Sequence, residues 1–505
     1  MYYNLKSAKL TLAFLLILSS ICINAKEVFV SPSGDDNNQG IINSPFKTIT
    51  KAISISNPGD TIYLRNGVYY YSNTLYIQKS GVQERYFHIF AYENEKPILD
   101  FYGESFGSRG IVLKGSYWHI RGLEVKGAGD NGLYIDDGSR NIIENCSFHD
   151  NNDSGVQLGH GASYNKFINC DSYYNADPPD YEDADGFAPK LDVGTGNYFY
   201  GCRAWGNCDD GWDGYLRSTT GVSATLENCW SFKNGWLKDG TNPENGDGNG
   251  FKMGGNKLRY HFTLIRCIAA DNKNKGFDQN NNRGSMTLYN CSSYGNLKSN
   301  YRIKEELDSG NKLIIKNCLS YNGKVELGNF AIQSANSWTG GIHLSDDDFT
   351  SLSTSDLEKP RKEDGSLPDI DFLKPSPESD LIDAGVDVGI EYHGYAPDIG
   401  AIETNYETKI ALNEGYIKYK EILNNYPNPF NFSTIIEYFL EKPGKVNLII
   451  YDILGRSIKI LTSEYRTKGK YNTIWYPDHN TPSGLYLITL EINNQIYIKK
   501  VLYNK

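Results

Sequence analysis

"IIENCSFHDNN", residues 142–152, runs from an apolar pair through one cysteine to a pair of asparagines. The same order returns in "KFINCDSYYNA" (166–176), "YFYGCRAWGNC" (198–208) and "TLENCWSFKNG" (225–235). It returns again in "TLIRCIAADNK" (263–273), "TLYNCSSYGNL" (287–297) and "IIKNCLSYNG" (314–323). The cysteines are Cys146, Cys170, Cys202, Cys229, Cys267, Cys291 and Cys318, spaced 24, 32, 27, 38, 24 and 27 residues apart. A unit near 24 residues that accepts loop insertions is the mark of a solenoid. The units are rich in strand formers, Gly and Asn, so the fold predicted is all-β, a parallel β-helix.

In that fold the seven cysteines occupy one slot and stack as small buried hydrophobes, not as disulfides. Cys208 falls outside the slot, free or paired. Asn151, Asn175, Asn207, Asn234, Asn272 and Asn296 form a parallel series. Stacked amides at a tight turn bond from coil to coil.

The rest of the 505-residue chain frames this repeat. Tyrosine (38) and glycine (50) are abundant and methionine (3) is scarce, a composition of short strands and turns. The net charge of −11 disfavours nucleic acid as a partner. A polyanion remains open if a cation bridges the two. Lys6 and Lys9 precede the short apolar run "TLAFLLILSSICINA". Residues 1–25 read as a signal peptide cut after Ala25, too short to span a membrane well. A lipoprotein site at Cys22 is disfavoured by bulky Ile21.

A second alignment uses the glycine that opens the next strand: "DSGVQ", "DADGFA", "DDGWD", "GNGFK" and "NKGFD", with Gly155, Gly186, Gly211, Gly250 and Gly276. Side chains alternate along a strand, so the residue after each glycine points inward and the next outward. Trp212 is therefore a core residue. The outward series is Gln157, Ala188, Asp213, Lys252 and Asp278. Asp185 and Asp210 each sit just before a glycine. Asp185, Asp209, Asp210 and Asp213 thus converge on one face across two coils, with Lys252 on the third. The insertion "KDGTNPENGDGNG" between those coils is long enough to wall a cleft.

Four carboxylates so close would force some to stay protonated unless a cation joins them. Hard oxygen donors in that number suit Ca²⁺; a solvated acidic edge is the plainer reading. Lys252 has two roles open to it, a salt bridge to Asp213 or a general base. Ca²⁺ beside a base suits β-elimination of a uronate polymer.

"DADGFAPK", "CDDGWDGY" and "NGFKMGG", in that order, resemble the family 9 polysaccharide lyases, pectate lyase-like enzymes on a right-handed parallel β-helix, over roughly residues 27–403. The resemblance implies Asp185, Asp209, Asp210 and Asp213 as Ca²⁺ ligands and Lys252 as the base. The substrate implied is an acidic plant-type polysaccharide, pectin, as homogalacturonan or rhamnogalacturonan I. Lys190, Arg217, Lys257 and Arg283 are candidate binders of further substrate carboxylates, and equally ordinary surface charges. "VFVSPSGDDNNQG" and "FKTITKAISI" look like the entry segment and capping helix of such β-helices. "LGHG" (158–161), "CDDG" and "YRIK" resemble the family 28 glycoside hydrolases. There the histidine follows the paired aspartates; His160 precedes them, at an inward position in this register. A non-catalytic Ca²⁺-binding adhesin is the alternative from a different class.

The domains read as a signal peptide (1–25), a β-helix catalytic domain (26–403), a linker (404–424) and a small C-terminal β-sandwich (425–505). "YPNPF", "YDILGR" and "SGLYLITL" make that last part resemble the sorting domain of the type nine secretion system. This implies export through the outer membrane by that machinery to the surface or medium. A carbohydrate-binding or fibronectin-like module is the alternative. A monomer is expected.

Overall fold

The computed structural model describes residues 25–406 and 423–505, apart from 441, 454, 480, 493 and 494. The expected signal peptide, but for Ala25, and residues 407–422 of the expected linker lie outside the described residues. The chain divides into two units, Met1–Glu407 and Thr408–Lys505. Among the described residues, no helix is long and apolar enough to cross a membrane.

The first unit is a right-handed parallel β-helix. Its coils stack into three parallel sheets of 12, 10 and 10 strands, with every third strand after the first returning to the same sheet. The helix Ile49–Ile55 is capped by the Thr48 side chain and buries Ile49, Ala52 and Ile53 at the N-terminal end of the core. The coils end with the strand Ile332–Ser334. The chain then runs back outside the third sheet. Phe349, Leu357, Phe372, Leu381 and Ile399 pack there on Trp230, Phe232, Ile268 and Leu319.

The interior is built of ladders. The seven slot cysteines are buried and free, as is Cys208. Each slot thiol from Cys170 onward lies 3.4–3.6 Å from a backbone carbonyl of the preceding coil. Burial pushes the Cys170, Cys202 and Cys229 thiols well above their ordinary range. These are inert packing groups. On the second sheet Phe187, Trp212, Phe251, Phe277 and Tyr301 stack face to face at 4.8–5.1 Å between neighbours. Trp212 is 1% exposed, as an inward position requires.

The asparagine series is continuous. Each Nδ2 donates to the next Oδ1 at 2.8–2.9 Å, from Asn151 through Asn175, Asn207, Asn234 and Asn272 to Asn296. It also explains the glycine series. A Cβ on Gly211 would lie 1.9 Å from Ser231 Oγ and 2.8 Å from Asn234 Nδ2. The ladder thus fills the corner where each second-sheet strand begins and fixes the residues just before it. Asn207→Ala leaves Asn175 Nδ2 and Asn234 Oδ1 short of a buried partner. A loss of about 2–3 kcal/mol is expected, read as a lower melting temperature. An unchanged melt would mean the ladder contributes nothing net.

The second unit has a three-stranded antiparallel sheet (Leu423–Tyr426, Thr434–Leu440, Gly469–Trp475) and a four-stranded one (Gly444–Asp452, Ser457–Arg466, Gly484–Ile492, Gln495–Tyr503). They share a core that includes Ile436, Leu448, Ile450, Trp475, Ile488 and Val501.

Candidate active site

The outward face of the second sheet carries one residue per coil. Its register pairs Tyr134 with Gln157, Gln157 with Ala188, Asp213 with Lys252, and Lys252 with Asp278. Phe187 pairs with Trp212, which puts Ala188 beside Asp213. Asp185 and Asp210 stand at the corner where their strands begin, both fully buried.

Asp185, Asp209 and Asp210 each offer a carboxylate oxygen, all within 4.8 Å of one another. Asp185 Oδ1 accepts from the Asp210 backbone N–H (3.1 Å), and Oδ2 accepts from Lys190 Nζ (2.7 Å) and Ser154 Oγ (3.2 Å). Asp210 Oδ1 accepts from the backbone and side-chain nitrogens of Asn249. Its Oδ2 is buried without a hydrogen bond, although Lys252 Nζ lies 3.0 Å away. Asp213 lies beside this trio, between two lysines, 3.7 Å from Lys190 and 3.8 Å from Lys252. Its Oδ1 accepts from the Tyr215 backbone N–H.

Burial pushes the Asp185 and Asp209 carboxyls well above the ordinary range, and their acidic neighbours add to it. Asp210 is pushed up to about 7, mainly by burial. For Lys252, burial opposes the charge, but Asp210, Asp213, Asp209 and Asp247 outweigh it and hold the ammonium well above its usual range. Lys190 shows the same balance, with Asp185 foremost among its carboxylates.

The arrangement fits a hard divalent cation. Three dry carboxylates converge, one oxygen lacks a hydrogen-bond donor, and the donor set is all oxygen. Without a cation the cluster is under electrostatic stress, which its raised carboxyl pKa values register.

Two members were not assigned to the cluster from sequence. Lys190, grouped there with the substrate-binding cations, is buried inside it, its Nζ also donating to the Asp183 carbonyl (3.2 Å). Asp247 comes from the long insertion, 3.2 Å from Lys252 Nζ. That insertion is tied down by Lys238 on Asp150 and by Asn245 on the Asp180 carbonyl. Arg217 and Lys257 are exposed on the turns after the strands bearing Asp213 and Lys252. Arg283 donates to the Glu306 carbonyl.

His160 corrects the register. Its strand ends at Gly159, and His160 takes a positive φ of 51°, so alternation stops and the ring turns outward. The side chain is 58% exposed, with Nδ1 2.6 Å from Asp136 and 3.1 Å from the Tyr134 hydroxyl. Its Nε2 lies 3.6 Å from Asp192, so its carboxylate neighbours are Asp136 and Asp192 and not the acidic cluster.

This right-handed β-helix is an enzyme of the polysaccharide lyase class, as its relatives show. Within that class the chain belongs to the family described as Pel9A-like, right handed beta helix region, whose model matches residues 28–327. It is 42% identical to pectate lyase L of Paenibacillus polymyxa over 74% of this chain and 86% of that protein. It is 39% identical to pectate lyase L of Dickeya chrysanthemi over 76% and 92%. The solved structure of pectate lyase Pel9A superposes with a TM-score of 0.71 at 38% identity, covering 76% of this chain and 98% of that one. A rhamnogalacturonan lyase structure follows at 0.63 and 26%, covering 70% and 97%. Residues 424–504 match the secretion system C-terminal sorting domain, and the protein is exported through the outer membrane.

Proposed function

We propose that this polysaccharide lyase cleaves galacturonate-containing pectin by β-elimination, with Lys252 as the base and a divalent cation, Ca²⁺ by its ligand chemistry, held by Asp185, Asp209, Asp210 and Asp213. The observation that carries the reading is Lys252 Nζ on an outward strand position, 3.0 Å from the buried Asp210 carboxylate. The relatives with the higher identity are pectate lyases, which favours homogalacturonan over rhamnogalacturonan I.

A bound cation would neutralise the sugar carboxylate and stabilise the charge that develops next to it. The chain's own residues do the rest. Asp185 and Asp210 are fixed by Ser154, the Asp210 N–H and Asn249, so the ligands are set before substrate arrives. Carboxylates committed to a bound cation would no longer hold the extra proton on Lys252. The free amine takes the proton from the carbon beside the uronate carboxylate. That electron pair becomes a carbon–carbon double bond, the glycosidic C–O bond breaks, and the leaving oxygen takes up a proton.

The test is purified protein on polygalacturonate and on rhamnogalacturonan I, with Ca²⁺, following ultraviolet absorbance of the unsaturated product. Absorbance is expected on polygalacturonate. New reducing ends without it would mean hydrolysis and sink the reading.

A further inference from the structure

The outward stripe that carries Lys252 continues N-terminally past the acidic cluster. Four coil steps from Lys252 it reaches Tyr134. At about 4.8 Å per step that is about 19 Å. Tyr134 is 3% exposed, although its position faces outward. Arg109 lies over it, the guanidinium 3.8 Å from the ring centroid, and His160 Nδ1 meets its hydroxyl at 3.1 Å.

Arg109 differs from the paired lysines on this face. Lys114 is paired with Asp136 at 2.8 Å, Lys275 with buried Asp278 at 2.8 Å, and Lys304 with Glu326 at 3.2 Å. The nearest carboxylate to Arg109, Asp130, is 3.8 Å from Nε. Nε donates to Asn131 Oδ1 at 3.2 Å, and no described residue accepts from either terminal nitrogen. The side chain is 36% exposed. Stacking and the Asn131 bond therefore fix the plane of the fork while its donor edge stays available. A fork held this way suits a carboxylate, which it grips with two parallel N–H groups. On the next coil Gly159 accommodates the Tyr134 side chain, since a Cβ there would lie 2.7 Å from its hydroxyl.

We propose that Arg109, laid on Tyr134, is a distal subsite for a uronate carboxylate of the substrate chain. The proposal rests on the polyuronate substrate argued above. One hexuronate unit of an extended chain advances about as far as one coil, so the sugar bound here is about four units from the bond cleaved. The subsite favours chains long enough to span both points and acidic at that distance.

The experiment measures kcat and KM for the full chain, Arg109→Ala and Arg109→Lys on polygalacturonate and on oligogalacturonides of increasing length. In the unsubstituted protein kcat/KM should climb until the oligomer spans from Lys252 to Arg109. Arg109→Ala should remove that last climb. It should lower kcat/KM on polymer about tenfold, through KM and with kcat kept, the size of one charge-assisted hydrogen bond at a part-exposed site. Arg109→Lys should fall between. The same fold loss at every length would show a structural role and overturn the subsite, and so would no loss on polymer. Absence of unsaturated product from the unsubstituted protein would overturn the substrate reading itself, before Arg109 enters.

Discussion

Lys252→Ala should lower turnover by roughly 10²–10⁴-fold, the range for a lost general base. The loss should fall on kcat, because the proton is transferred in the chemical step and not in binding. Divalent-cation affinity should not fall. Lys252 Nζ lies 3.0 Å from Asp210 and 3.2 Å from Asp247, so its removal deletes a positive charge that competes with the cation. Titration calorimetry with Ca²⁺ alone separates a missing base from a damaged metal site. Lys252→Arg is the sharper variant. It keeps the charge beside Asp210 and Asp213 but stays protonated, so it should fail as alanine does. Rescue by arginine would mean that the position supplies only charge. A fully active alanine variant would move the base elsewhere.

The residues that were legible in the sequence are those that repeat. Coils stack at one spacing, so a residue needed in every coil returns at the coil period. The cysteine slot and the asparagine turn could therefore be aligned without any structure. The glycine series then supplied the register, and alternation put Asp213 and Lys252 on neighbouring outward positions, as they are. What does not repeat was hidden. Asp247 sits in an insertion with no counterpart in other coils, so no alignment could bring it to Lys252. Arg109 precedes the first cysteine copy. Lys190 is legible only as a candidate binder of substrate carboxylates or a surface charge; a lysine side chain is long, and sequence does not say that it folds back 2.7 Å from Asp185. His160 failed for a backbone reason, since alternation holds only while the strand lasts. The segment after Ser334 falls within the β-helix domain expected over 26–403, yet it adds no coil; its apolar residues cover the outside of the third sheet.

Removing the cation should abolish activity reversibly and also make stability depend on pH. Asp210 in the folded chain titrates at about 7, raised mainly by burial, against about 3.9 when unfolded. A raised folded value gives stability that is fully present below the unfolded value and is lost as pH rises through the folded one. Asp185 and Asp209 are raised in the same direction. Lys190 and Lys252 stay protonated in both states below about pH 9, so they add no slope between pH 4 and 8. In chelator, the melting temperature should therefore be lower at pH 8 than at pH 5, by at least about 3 °C. Ca²⁺ should raise it more at pH 8, because ionised carboxylates bind and protonated ones do not. Saturation a hundredfold above Kd is worth about 2.7 kcal/mol. His149 also loses its contribution as pH rises, since Asp150 and Glu124 outweigh its burial and raise it. Asp210→Asn isolates the cluster. It removes one titrating group, so its slope in chelator should be shallower than that of the unsubstituted chain, and its response to Ca²⁺ weaker. Equal slopes in the two proteins would mean that Asp210 does not titrate in this range, and full activity after exhaustive chelation would mean that these carboxylates are not a metal site.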